Sequence, residues 1–193
     1  VIVQDLQLEK IPDSMSFDKA ALIEPLGVAL HTYNLIKPKL YDSVTIFGSG
    51  PIGLCTFSVF EKAGIKEIYM VDELDFRVNF AKKFGASNAY NINDKNYIND
   101  IKSKTNNGYG TTFCIDTAGK DSSIDGCIRI CSPKGKIALV GIPEQDYIQY
   151  NPHIIRTKEL QLQNVRRSNQ TMHDCLKLYN EDIKIEKIVS HKY

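Results

Sequence analysis

Two rhythms of apolar and polar residues alternate along this chain. Short runs dominated by apolar and β-branched residues predict strands: Ser43-Val-Thr-Ile-Phe47, Glu67-Ile-Tyr-Met-Val71, Ala89-Tyr-Asn91, Thr112-Phe-Cys-Ile115 and Lys136-Ile-Ala-Leu-Val140. Between them apolar residues return at helical spacing, as in Leu74, Val78, Ala81 and Phe84. Helices are therefore expected over 52–62, stopped by Gly64, and over 74–84, stopped by Gly85. Further helices are marked by Tyr97, Ile98 and Ile101, and by the segment Ser122 to Cys131. Asn107-Gly108 and Gly110 predict a turn before the fourth strand, and Pro133 and Gly135 one before the fifth. Leu160-Gln-Leu-Gln163 is the candidate sixth strand, with a helix at Met172, Cys175, Leu176 and Tyr179 behind it. Such alternation, with near-continuous apolar strands, predicts an α/β fold whose parallel sheet is covered on both faces. Right-handed crossovers favour a doubly wound, Rossmann-type sheet with its ligand crevice outside the C-terminal strand edge. Residues 1–42 fall outside this rhythm. They read as an extended start, then Ser16 as the N-cap of a helix with Leu26, Ala29, Leu30 and Tyr33 on one face.

The junction between the first strand and its helix carries the candidate chemistry. Gly48-Ser49-Gly50-Pro51-Ile52-Gly53 is a G-x-G-x-x-G turn with a strand directly before it and a helix directly after it. In such a turn Gly48 permits the bend, Gly50 lets a pyrophosphate approach the backbone, and Gly53 lets helix and strand pack closely. The helix start then offers free N–H groups and a positive dipole end to the phosphates. Pro51 suits the first helical turn, which has no use for the N–H it lacks. Asp72 follows the second strand, 19 residues past Gly53 (72 less 53). A carboxylate there accepts hydrogen bonds from ribose hydroxyls and repels a 2′-phosphate, a repulsion that Glu73 and Asp75 are expected to deepen. NAD is thereby favoured over NADP. Arg77 either flanks the adenine or pairs with Asp75. Two later strand ends, Asp116-Thr117-Ala118-Gly119 and Val140-Gly141-Ile142, project toward the nicotinamide half by the same topology. Each reads equally as an ordinary strand-end turn.

Composition adds limits. A formal net charge of +1 argues against a basic nucleic-acid footprint and against an anionic-membrane binder. No apolar run approaches the roughly 20 residues of a membrane span. The five cysteines, Cys55, Cys114, Cys127, Cys131 and Cys175, are odd in number and form no C-x-x-C pair. Cys127 and Cys131 lie on a helical apolar stripe with Ile124 and Ile128, so they are expected as buried thiols, and a reducing cytoplasm is the expected location. Because the sequence does not begin with Met, it is expected to be a piece of a longer protein.

Taken in order, Phe17-Asp-Lys-Ala-Ala-Leu-Ile-Glu-Pro-Leu26, Gly48-Ser-Gly-Pro-Ile-Gly53, Asp72, Arg77, Phe84-Gly-Ala86 and Ser190-His-Lys-Tyr193 resemble the zinc-dependent medium-chain alcohol dehydrogenases. Glu24-Pro-Leu26 is similar to the polyol (sorbitol- and xylitol-like) and threonine dehydrogenase branch. The resemblance implies hydride transfer between NAD and an alcohol or polyol whose oxygen sits on a catalytic zinc. It implies that Glu24 stands near that metal, as a ligand, a second-layer residue or a helix-terminal charge. It also implies that Asn164-Val-Arg166 touches nicotinamide or substrate, although Arg166 and Arg167 read equally as a solvated basic pair. The family draws its first zinc ligands from a separate N-terminal domain, through a Cys and a Gly-His-Glu motif. None of His31, His153, His173 or His191 is followed by Glu. Zinc is therefore expected in a parent enzyme and not on this chain alone, which should bind NAD without turnover. Residues 1–15 are read as an extended remnant of the catalytic domain and 16–193 as the NAD-binding domain, with its core at 43–165. No catalytic side chain is assigned. The expected cofactor contacts are Gly48, Gly50, Pro51, Ile52, Gly53, Asp72, Glu73, Arg77, Thr117, Val140, Gly141, Ile142, Asn164 and Arg166. A homo-oligomer is expected by the resemblance, with strand 136–142 near the edge at which copies meet. Two other classes fit the motif: a non-catalytic dinucleotide-binding regulatory module, and a methyltransferase.

Overall fold

The computed structural model describes residues 8–105, 108–181, 183 and 185–189. Its six strands are β1 (Ser43–Phe47), β2 (Glu67–Asp72), β3 (Ala89–Asn91), β4 (Phe113–Asp116), β5 (Lys136–Leu139) and β6 (Gln161–Asn164). They form one sheet in the order β3-β2-β1-β4-β5-β6, parallel throughout. Strand order reverses between β1 and β4, which is the switch point where α/β sheets open a ligand crevice. Eight α-helices accompany the described strands: α1 (Phe17–Ala20), α2 (Ile23–Ile36), α3 (Pro51–Lys62), α4 (Asp75–Phe84), α5 (Tyr97–Lys104), α6 (Asp121–Ile130), α7 (Pro152–Lys158) and α8 (Met172–Asn180).

All five residues of β1 are buried, as a central parallel strand requires. Its side chains divide between two cores. Val44 and Ile46 join α2, α3, α4 and α8 on one face, through Leu26, Phe60, Val78 and Cys175. Phe47 turns to the other face, where Tyr97, Ile101, Ile124 and Ile128 of α5 and α6 close over it. Tyr33 of α2 meets Phe60 of α3 edge-on at 5.3 Å between ring centroids. The five cysteines are free and buried, and burial pushes the Cys55 and Cys175 thiols up to about 12. They behave as small apolar side chains.

Four differences from the sequence reading have physical causes. The helix expected from Ser16 breaks into α1 and α2, and Ser16 makes no side-chain cap. Pro25 explains the break, because its ring would collide with the carbonyl four residues back if one helix ran through it. It is tolerated where it stands, in the first turn of α2. Second, β5 ends at Leu139 and is not at an edge: it pairs with β4 and β6, and β6 is the outer strand. Third, α7 carries too few apolar residues for a helical stripe, yet Asn151 caps it by accepting the His153 N–H at 2.9 Å. Fourth, β1 and β3 keep the expected bounds while β2, β4, β6, α3, α4 and α6 differ by one residue at one or both ends, so that Asp72 is the last residue of β2 and not the first beyond it. Val1–Gln7, Asn107, His191 and the Ser190–Tyr193 stretch lie outside the described residues.

Candidate functional site

The turn after β1 gives each motif glycine a different environment. Gly48 sits at φ +99°, a region L side chains rarely adopt, and a Cβ there would lie 2.5 Å from Thr117 Oγ1. Gly53 is held by proximity: its Cβ would lie 1.9 Å from the Gly48 carbonyl oxygen. Gly50 is different. It has ordinary extended backbone (φ −79°, ψ −172°) and a Cβ there would meet nothing within 4 Å. Two glycines therefore build the turn, and the third leaves open space above it.

That space is a cleft of about 260 Å³, walled by Gly48, Gly50, Pro51, Ile52 and Gly53 on one side and by Asp72, Glu73 and Arg77 on another. Helix α3 begins at Pro51, so its first-turn N–H groups face the cleft end of the helix axis. The Asp72 carboxylate is buried, with its Oδ2 accepting the Ser49 N–H at 2.7 Å and its Oδ1 the Leu74 N–H at 3.0 Å. These bonds tie the end of β2 to the glycine turn and fix the carboxylate on the cleft wall. Each oxygen keeps a lone pair for a further donor.

The surrounding charges differ from the sequence reading. Arg77 lies 3.9 Å from Asp72 Oδ2, not against Asp75, and its guanidinium sits over the Phe76 ring. Asp75 instead accepts from Asn91 Nδ2 at 2.6 Å. Glu73 forms an ion pair with Lys120, which arrives from the turn after β4. That pair spans the cleft from the β2 side to the β4 side. Of the two acids expected to add repulsion, Glu73 is thus offset by a cation, while Asp75 keeps its charge beside a neutral amide.

A second cleft of about 820 Å³ continues past the switch point, sharing Ile52 and Thr117 with the first. Val140, Gly141, Ile142, Asn164 and Arg166 line it, and Glu24 stands on its α2 side with an exposed side chain. All the sequence-predicted site residues thus fall in two adjoining clefts. Thr117 joins them: its hydroxyl donates to the Phe47 carbonyl at 2.8 Å, securing β4 to β1 at the rim. Several lining residues were missed. Lys120 and Ser123 carry no motif; only their place at the start of α6, beyond a central strand end, marks them. Asp116 was placed at this strand end by the sequence, but its partners were not foreseen. Buried at the end of β4, it accepts from Ser123 Oγ at 2.6 Å and from the Ala118 and Gly119 N–H groups at 3.1 Å. Burial pushes its carboxyl above the usual range, against the opposing pull of those hydrogen bonds.

No group of three His, Cys, Asp or Glu side chains arranged for a metal occurs among the described residues. Glu24 shares its cleft with one other acid, Asp116, whose carboxylate is already committed to Ser123 and two backbone donors. These residues do not fit a zinc centre by themselves. No helix among the described residues is long and apolar enough to cross a membrane.

Comparison with known proteins gives one consistent result. The family described as zinc-binding dehydrogenase matches residues 51–181. D-xylulose reductase of Saccharomyces cerevisiae is 31% identical over 95% of the chain and 53% of its own length. Sorbitol dehydrogenase of Bacillus subtilis is 32% identical over 83% of the chain and 45% of its own length. Among solved structures, an alcohol dehydrogenase from Escherichia coli CFT073 in complex with NADH is 27% identical. It superposes with a TM-score of 0.84 over 96% of the chain and 54% of its own length. The chain spans about half the length of the curated relatives it matches.

Proposed function

The chain belongs to the zinc-binding dehydrogenase family, and on that premise we propose that it is the cofactor-binding part of an NAD-dependent alcohol or polyol dehydrogenase. One observation carries the reading: a buried Asp72 carboxylate locked to the glycine turn by the Ser49 N–H, beside the open space over Gly50. Ribose hydroxyls would donate to Asp72, and the pyrophosphate would lie over Gly50 at the start of α3. The nicotinamide ring would extend past Thr117 into the larger cleft, against the backbone of Val140, Gly141 and Ile142. Asn164 and Arg166 would border the ring. Hydride acceptance and return is the chemistry that NAD supplies when bound. The residues of this chain orient the ring and exclude water from one of its faces. Two of the curated relatives are named as a xylulose reductase and a sorbitol dehydrogenase and others as threonine 3-dehydrogenases. These names support a secondary alcohol as substrate, of polyol type in the first two. Catalytic zinc needs ligands beyond Glu24, and no step is assigned to it on this chain.

Fluorescence titration with NADH, NADPH and S-adenosylmethionine tests this reading. NADH should bind most tightly, and Asp72→Ala should weaken it by about 1–3 kcal/mol, the scale of a lost charged hydrogen bond. Because Asp72 also anchors Ser49 and Leu74, the variant's melting temperature is read alongside. Unchanged NADH affinity in a folded variant would refute the ribose role. Preference for S-adenosylmethionine would overturn the family of cofactor altogether. By itself the chain is expected to bind NADH yet produce none from sorbitol or xylitol.

A further inference from the structure

We infer that Glu73 and Lys120 form a clasp that parts to admit the adenosine half of the dinucleotide and closes over it again. This ion pair then sets how fast the cofactor enters and leaves. The inference rests on the cofactor reading above, which places the adenosine ribose against Asp72. Glu73 follows the last residue of β2, and Lys120 stands four residues beyond the last residue of β4 (120 less 116). Both strands flank β1, so the gap between them is two strand spacings, about 10 Å. The pair crosses that gap over the cleft, which Asp72 and Ile92 border on the β2 side and Ala118 and Ser122 on the β4 side. With the pair closed the cleft holds about 260 Å³, short of the roughly 300–1,000 Å³ usual for sites of organic ligands.

The two arms of the clasp have fixed bases and free ends. The Glu73 carbonyl accepts from Asn91 Nδ2 at 3.3 Å and from Asn93 Nδ2 at 3.4 Å, and its neighbour Asp72 is locked to Ser49 and Leu74. Lys120 is the N-cap of α6, its N–H donating to Ser123 Oγ at 3.2 Å, and Ser123 is itself held by Asp116. Beyond these anchored backbones the side chains are about half exposed, 51% for Lys120 and 42% for Glu73. An ion pair so exposed is weak, so it opens on thermal motion without disturbing the fold. The other described ion pairs have different placements. Arg129–Asp125 and Lys177–Asp174 lie within single helices, and Arg77–Asp72 lies on one wall of the cleft. Among the described ion pairs, Glu73–Lys120 is the one that joins facing walls. A dinucleotide seated on the glycine turn with its ribose at Asp72 has to pass between those two side chains.

Stopped-flow fluorescence with NADH reads entry and exit rates for the full chain and its variants E73Q, K120M and E73Q/K120M. Reduced nicotinamide mononucleotide, which lacks the adenosine, is the control ligand. Side-chain opening is fast compared with encounter, so both rates scale with the fraction of time the clasp stands open. Each single variant should therefore speed NADH entry and exit together by about two- to fivefold, the scale of one half-exposed ion pair, with affinity nearly unchanged. The double variant should match the singles, because one pair is lost only once. The mononucleotide's rates should not move. A long-range charge effect, or a grip of Lys120 on the phosphates, gives a different pattern. E73Q and K120M change the charge of the cleft in opposite senses, so affinity would shift in opposite directions and return in the double variant. That pattern overturns the inference, as do NADH rates unmoved in the folded variants and a mononucleotide that responds as NADH does. Melting temperatures are read on the same samples, and a single folded variant decides, since only the clasp raises both rates at constant affinity. Failure of NADH to bind the parent chain overturns the cofactor reading and the clasp together, whereas NADH binding with unmoved rates overturns the clasp alone.

Discussion

Replacing Gly53 and Gly50 separately by alanine should split stability from binding. At Gly53 the new Cβ would sit 1.9 Å from the Gly48 carbonyl oxygen and 3.1 Å from Thr117 Oγ1. Real Cβ contacts stay beyond 3.0 Å, so helix and turn must part by at least 1.1 Å (3.0 less 1.9). The obstacle is backbone, pinned in turn by the Gly48 N–H bond to the Val71 carbonyl at 2.8 Å. Overpacking of this kind costs about 1–3 kcal/mol. Alanine's helix propensity offsets up to about 1 kcal/mol of it. A rigid backbone obstacle puts the cost at the upper end of the overpacking range, about 2–3 kcal/mol, so the expected net loss is about 1–2 kcal/mol, or roughly 2–8 °C in melting temperature for a domain of this size. At Gly50 the arithmetic reverses. A Cβ there meets nothing within 4 Å and the backbone is one any residue adopts, so stability should stay within about 0.5 kcal/mol. That methyl would instead occupy the space proposed for the pyrophosphate, and NADH affinity should fall about tenfold or more. Thermal unfolding and NADH fluorescence titration read the two effects on the same samples. If G53A melts with the parent protein, the close-packing argument fails. If G50A binds NADH as the parent does, the pyrophosphate does not lie over Gly50.

Two other expectations follow from particular side chains. Lys158 Nζ donates to the carbonyls of Ile128, Arg129 and Cys131 at 2.8–2.9 Å, closing the C-terminal end of α6. Lys158→Met should therefore destabilise the domain by about 1–3 kcal/mol in urea unfolding, and a neutral result would mean that water replaces the ammonium freely. Asp116 is held protonated more readily in the fold than in the unfolded chain, chiefly by burial. Its folded value lies above the ordinary 3.8, so its favourable contribution is whole below that pH and is lost as pH rises through the folded value. The melting temperature of the parent protein minus that of D116N should fall across that interval and then level off. A difference that grows with pH would contradict the burial argument.

Much of the fold was legible because its strongest signals are local. Runs such as Val44 to Phe47 are buried on both faces, so their apolar character is unbroken, and the glycine turn lies between two such signals. What escaped depends either on a single local residue or on neighbours distant in sequence. The break before α2 turns on a single Pro25, and α7 is held by a cap and by packing more than by its own pattern. At the site, Asp72 was readable from its spacing, yet its partners were not. Ser49 is 23 residues away, and Lys120 reaches Glu73 across 47. Only the closed sheet brings those groups together, and with them the charge balance around the ribose position. Arg167 was legible as a charge but not as a cleft residue, because nothing in the sequence announces its left-handed backbone.

The reversal of strand order between β1 and β4 also has a kinetic side. Pairing β1 with β2 closes a loop of 24 residues (Ser43 to Glu67), whereas pairing β1 with β4 closes one of 69 (Val44 to Phe113). Loop entropy makes the second closure dearer by about 1 kcal/mol. The seam sealed by the Thr45–Thr111 hydroxyl contact and by Thr117 against Phe47 should therefore zip late. A dinucleotide that bridges both sides of that seam finds nothing to grip until folding is almost complete. It should then hold the finished domain closed without hastening its assembly: in stopped-flow experiments NADH slows unfolding and leaves the refolding rate unchanged.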